Sequence, residues 1–86
     1  MHHLNDGVAI YRTSDGTDIP GVPYMLERNL ELYDENGVAE RVTAITIRSS
    51  AVKNSRYGDQ IITGDRTWTV YQTLEDDDQL RRMRVS

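Results

Sequence analysis

Cysteine is absent from the chain. Disulfides and thiolate metal sites are thereby excluded, which agrees with a reducing compartment. Histidine occurs only as His2 and His3, in a terminal stretch where chain order is usually poorest. No imidazole stands in the body of the sequence to act as a base or a ligand. Neither histidine is assigned a role, and the opening Met-His-His reads equally as a native start or a tag remnant. No apolar run approaches the roughly 18–20 residues of a membrane-crossing helix, and no secretory leader pattern opens the sequence. A soluble, cytoplasmic product is the expectation.

Lysine is nearly missing too: of ten basic residues nine are arginine, and the other is Lys53. Arginine's planar fork suits protein interfaces, and a GC-rich genome gives the same bias. The net charge of −4 offers little bulk attraction to nucleic acid, so no specific nucleic-acid binding is expected.

The parts of an enzyme are short in the same way. Ser49, Ser50 and Ser55 follow no nucleophile-elbow pattern. Gly58 and Gly64 flank a short strand and do not lead a phosphate loop into a helix. Asp76, Asp77 and Asp78 invite a metal or acid–base reading. Catalytic carboxylates, however, need contrasting environments, and calcium loops space their ligands and turn on a glycine. Three adjacent acids provide neither. They read as a hairpin tip, since Asp bonds the nearby backbone, with docking by charge as a further role. No catalytic residue, metal or cofactor is expected.

What the chain does have is β-branched residues: Val, Ile and Thr supply 21 of its 86 positions. A chain of this length makes one compact domain and buries about 60–65% of its unfolded surface, so its core is thin. Turn signals at Ser14-Asp15-Gly16, Ile19-Pro20-Gly21, Asp34–Gly37, Gly64-Asp65 and Asp76–Asp78 separate segments of strand length. The expected strands are 8–12, about 23–33, 38–48, 60–63, the segment RTWTVYQTL, and about 79–85. A Pro-Gly loop precedes the second strand, and Asn36-Gly37 is expected to form a tight turn with φ > 0 at both positions. Val42 lies on the opposite parity from Ile45 and Ile47, which calls for a bulge or a strand crossing between sheets. Trp68, Val70 and Leu74 face one way, and Thr67, Thr69, Tyr71 and Thr73 the other. The fold class is all-β: a small antiparallel sandwich or barrel of about six strands, with one long irregular loop at about residues 49–57. It forms a single domain over 1–86, with 1–7 disordered.

Trp68 is expected in the core. Tyr57 and Tyr71 are the better interface aromatics, one ending the irregular loop and one on a polar strand face. Arg81, Arg82 and Arg84 form a basic patch that the neighbouring aspartates offset. It reads either as a solvated strand edge or as a contact with another subunit.

The ordered series LELYDENGVAERVTAITIRSS … RYGDQIITGDRTWTVYQTLEDDDQLRRMRVS resembles the small head–tail joining proteins of tailed phages and prophages, the lambda-type head-completion proteins and their relatives. The likeness rests on the Asp34–Gly37 hairpin, Arg41-Val42-Thr43, Gly58-Asp59, the Gly64 turn, Thr67–Val70 and the acidic turn Glu75–Asp78, and covers roughly residues 22–86. The chain departs from those proteins in lacking helical periodicity over Met1–Gly21 and in carrying Asp78 where many have glycine. The resemblance implies a structural virion protein made in the bacterial cytoplasm. It would act as a ring of copies at the portal vertex, between portal or adaptor protein and tail proteins, with a monomer in isolation as an alternative. Residues 49–57 would be a mobile loop that orders on contact, through Lys53, Arg56 and Tyr57. Tyr71, Arg82 and Arg84 complete the candidate contacts. A small barrel module binding a peptide or a nucleic acid is the rival reading.

Overall fold

The computed structural model of the protein describes residues 6–86. Apolar residues at period two, with turn residues between them, produce β1 (Val8–Arg12), β2 (Asp18–Tyr33), β3 (Ala39–Arg48), β4 (Gln60–Ile62), β5 (Thr67–Asp76) and β6 (Leu80–Val85). Every neighbouring pair is antiparallel. The order β1-β2-β3-β6-β5-β4 returns to β1, so the sheet closes into a barrel. Closure selects the barrel over the sandwich and pairs the sheet edges with one another. Among the described residues there is no helix, and so none long and apolar enough to cross a membrane.

Closure depends on β2 serving two neighbours. Its first part, Asp18–Pro23, pairs with β1, and the rest, from Tyr24 to Tyr33, pairs with β3. The register slips twice, opposite Ala9–Tyr11 and between Glu27 and Leu30. The Pro-Gly loop expected before this strand is instead its first bulge. Pro20 has no N–H to donate and Gly21 takes φ +69°, and a bulge accepts both as readily as a turn does. The second bulge holds Asn29 at φ +62°, a conformation Asn tolerates better than most residues. The bulge expected from the parity of Val42 thus lies in β2 and not in β3, where Val42 stays on the face of Ala44 and Thr46 and pairs with Leu30.

The interior holds Tyr11, Val22, Ile45, Ile47, Ile61, Trp68, Val70, Met83 and Val85. Ala44 and Thr46, on the other parity of β3, are buried as well. Met25, Glu27, Arg82 and Arg84 stand opposite them on β2 and β6, and their stems cover the small side chains. In β5 strict alternation runs as far as Val70. Register shifts follow between Val70 and Gln72 and between Thr73 and Glu75, yet Thr73 is exposed and Leu74 half-buried, as their assigned faces require.

Beyond the barrel wall, β2 and β3 continue as an arm. Leu30–Tyr33 pair with Ala39–Val42, whereas β6 meets β3 only from Thr43 onward. At the tip, Asp34 accepts the Gly37 N–H at 3.0 Å, and its side chain takes the N–H groups of Asn36 and Val38, each at 2.9 Å. Gly37 alone has positive φ (+77°), so the expected pair of left-handed residues reduces to one. The Asp34 carboxylate holds the turn that two such residues would otherwise have made. Nothing lies within 4 Å of a Cβ built on Gly37. Gly37→Ala is therefore expected to cost only the conformational term, about 1 kcal/mol by urea unfolding. A larger loss would mean that the tip packs against something.

His2, His3 and the first five residues of the expected disordered tail lie outside the described residues. Asp6 and Gly7, assigned to that tail, are hydrogen-bonded to β2. The Asp6 carboxylate takes the Leu26 N–H at 2.6 Å and the Gly7 carbonyl takes the Tyr24 N–H at 3.1 Å.

Candidate docking surface

One end of the barrel is plugged by residues 49–59. The sequence suggests a mobile loop here, but it is pinned at two points. Val52 is buried in the core cluster. Arg81 reaches beneath the loop and donates to the Val52 carbonyl (2.8 Å), the Ser55 hydroxyl (2.9 Å) and the Lys53 carbonyl (3.2 Å). Arg81 is itself only 4% exposed, so it leaves the surface patch to which the sequence assigned it. The signal was present, because Arg81 shares the parity of Met83 and Val85.

Asp59 is the second pin; the sequence marked Gly58-Asp59 only as part of the resemblance and assigned the carboxylate no role. The residue is 2% exposed. Its carboxylate accepts from the Tyr11 hydroxyl at 2.5 Å, the Ser14 N–H at 2.8 Å and the Arg56 N–H at 2.9 Å. It thus joins the core, the β1–β2 turn and the loop. Burial, and then the hydrogen bond to Asp59, hold the Tyr11 phenol well above its ordinary pKa.

The three aspartates divide their work at the β5–β6 turn. Asp76 is the counter-ion of Arg81, with Nε to Oδ2 at 3.2 Å. The Asp77 side chain accepts the N–H groups of Gln79 and Leu80 at 2.7 and 2.8 Å and so shapes the turn. Asp78 is exposed.

On the barrel wall three of the candidate contacts come together. Tyr57 and Tyr71 meet edge to face, with centroids 5.6 Å apart, and Arg84 lies 5.8 Å from the Tyr71 ring. Tyr57 is 72% and Tyr71 49% exposed. Arg84 also pairs with Glu40 at 2.6 Å. Arg82 is drawn elsewhere, pairing with Glu75 at 3.1 Å and Glu27 at 3.2 Å across the outer sheet face. Lys53 and Arg56 are exposed on the pinned loop, and the Lys53 carbonyl is one of the Arg81 anchors.

The opposite end carries a feature that no local pattern announced. Trp68 is buried, as its parity requires, and two guanidinium groups lie over it. The Arg66 Cζ is 4.0 Å and the Arg28 Cζ 5.5 Å from the ring. A cleft of about 450 Å³ opens beside them, and another of about 320 Å³ continues from it past Arg41 to Arg84 and Tyr71. Arg28, Arg41 and Arg66 are exposed, and among the described residues none has a carboxylate partner. They come from the second β2 bulge, from the β3 side of the arm and from the end of the β4–β5 turn. No protein-family model matches this chain, and no curated protein matches it.

Proposed function

We propose that the chain is a structural docking subunit of a tailed phage or prophage particle. It joins the portal vertex of the DNA-filled head to the tail as a ring of copies, without a chemical step of its own. Portal or adaptor protein and tail proteins are its partners, and it enters the virion after synthesis in the bacterial cytoplasm. The observation that carries the reading is the exposed Tyr57–Tyr71 pair beside Arg84, held on a closed barrel. Tyr and Arg dominate the energetics of protein contacts, and here they need little ordering on docking because Arg81 and Asp59 already hold the loop. Lys53 and Arg56 extend this surface along the same loop, while Arg82, held by Glu27 and Glu75, lies outside it.

Tyr57→Ala with Tyr71→Ala is the direct test. Both rings are largely exposed, so stability should change by no more than about 0.5 kcal/mol. In a complementation assay the double variant should leave filled heads and free tails unjoined, counted by electron microscopy. Normal joining would remove this surface from the reading. Flanking genes without portal, capsid or tail proteins would remove the particle itself.

A binding module for a peptide or nucleic acid is favoured by one observation, the arginine cleft over Trp68. Trp68 is only 3% exposed, however, so it offers no free ring face for a base to stack on. A flat titration with single-stranded oligonucleotides at low salt is the expected result.

A further inference from the structure

The arm and the arginine cleft are complementary, and neither is satisfied within one copy. Past the barrel, Leu30–Tyr33 and Ala39–Val42 pair only with each other. A two-stranded ribbon of this kind is marginal alone in water. Between residues 29 and 42 the arm carries Glu31, Asp34, Glu35 and Glu40, and its one basic residue, Arg41, stands at the base directly opposite Glu31. Its tip also exposes Tyr33 (66%) and Val38 (60%), apolar surface for a partner to cover.

The cleft has the opposite character. Arg28, Arg41 and Arg66 face it without an ion pair among the described residues. The carboxylates nearby, Asp6 and Asp65 on the cleft wall and Glu31 opposite Arg41, keep their charge but form no ion pair with these arginines. Asp6 holds the Leu26 N–H, Asp65 the Thr63 hydroxyl and Glu40 the Arg84 guanidinium. A molecule with a net charge of −4 therefore concentrates three free cations in one place.

Its own tip cannot reach them. Arg28 and Arg41 stand at the base of the arm, and the strands rise away from it by about 3.3 Å per residue. The intervening 29–33 thus carry the tip roughly 16 Å from the cleft.

We propose that the acidic tip of one copy's arm docks in the arginine cleft of a second copy. The contact is head-to-tail, since arm and cleft are different surfaces, so repetition closes into a ring or runs into a filament. It deepens the ring of copies proposed above and rests on that self-association alone, not on the phage particle. Glu35 at the tip supplies a charge the arginines lack, while Tyr33 and Val38 lose their exposure against the cleft.

The test is sedimentation velocity of the full chain from micromolar to millimolar concentration, in low and high salt. Reversible association above the 9.9 kDa monomer, weakened by salt, is expected. An arm variant, Tyr33→Ala with Glu35→Lys, and a cleft variant, Arg28→Glu with Arg66→Glu, should each associate at least about tenfold more weakly, Glu31 and Arg41 being left intact because they face each other at the base of the arm. Asp34 is left intact because it holds the turn, and circular dichroism confirms folding of each variant.

Mixing the two variants is decisive. The mixture keeps one native arm and one native cleft, so it should form a dimer and stop there. A wild-type protein that stays monomeric at millimolar concentration in low salt overturns the proposal. So does association that survives either pair of substitutions, or a mixture that remains monomeric. Oligonucleotide binding lost in the cleft variant would assign the cleft to nucleic acid instead. The particle assay on Tyr57 and Tyr71 reads a different surface, so either idea can fail alone.

Discussion

Asp59→Ala is expected to lower stability by about 3–5 kcal/mol, roughly 15–25 °C in Tm for a domain of this size. Three donors lose their acceptor at once: the Tyr11 hydroxyl and the N–H groups of Ser14 and Arg56. Tyr11 is fully buried, so its hydroxyl has no water to turn to. Asp59→Asn should recover only part of the loss, because its amide NH2 replaces one acceptor oxygen with donors that face donors. Differential scanning calorimetry of the two variants checks this. Equal transitions for Asp59→Ala and the wild type would end the account of Asp59 as the hub.

The same pair gives the fold a sensitivity to high pH. The folded protein holds the Tyr11 proton more tightly than the unfolded chain, whose tyrosine ionises near about 10. Below that pH both states keep the proton, and this contribution to stability is fully present. Above it the unfolded chain releases its proton first, so stability falls by up to about 1.4 kcal/mol per pH unit until the folded phenol also ionises. Tyr11→Phe should flatten that slope while costing less at neutral pH than Asp59→Ala. Parallel slopes for the two proteins would show that other groups cause the decline.

Arg81→Met carries the second large expected effect, about 3 kcal/mol in urea unfolding. Methionine keeps the stem in place but removes every donor to the Val52 and Lys53 carbonyls and to Ser55. Asp76, whose side chain is 47% exposed, can return to water, which keeps the loss below that of a fully buried pair. Arg81→Lys should help little, since an ammonium cannot span donors that the guanidinium fork reaches together. The effect is expected to be local. Amide exchange should quicken across 50–58 and stay unchanged in the β2–β3 arm. Uniform quickening throughout the chain would show that Arg81 supports the barrel and not the loop. The exposed Arg12–Asp18 pair, at 2.8 Å with both side chains 45% exposed, should contribute far less and weaken with salt.

The strands and two of the surface aromatics were legible because a strand writes its own faces into the sequence. β1 spans the expected Val8–Arg12, and Met83 and Val85 alternate with Arg82 and Arg84 as period two requires. Trp68 falls inside for the same reason. Arg81 obeys the rule too, and it was misplaced because a charge was assumed to seek water. A buried guanidinium is tolerated here because carbonyls and Asp76 receive its N–H groups. The pinned loop was misread on related grounds. Val52 is a single apolar anchor, too little to register as a pattern, and its other supports arrive from β6 and from Tyr11.

By itself, then, the sequence determined the all-β class, the number and order of the strands, the hairpin at Asp34–Gly37 and the inward residues Ile45, Ile47, Trp68 and Val70. All of these follow from alternation and turn chemistry within a few residues. Only the tertiary structure decided that the sheet closes, because closure joins β1 to β4, some fifty residues apart, through hydrogen bonds that carry no side-chain code. The bulges in β2 belong with closure, since a bulge is a relation between two registers and not a property of one strand. The arginine cleft is tertiary for the plainest reason. Arg28, Arg41 and Arg66 lie far apart along the chain, and they share a site only once β2, β3 and the β4–β5 turn meet at one end of the barrel.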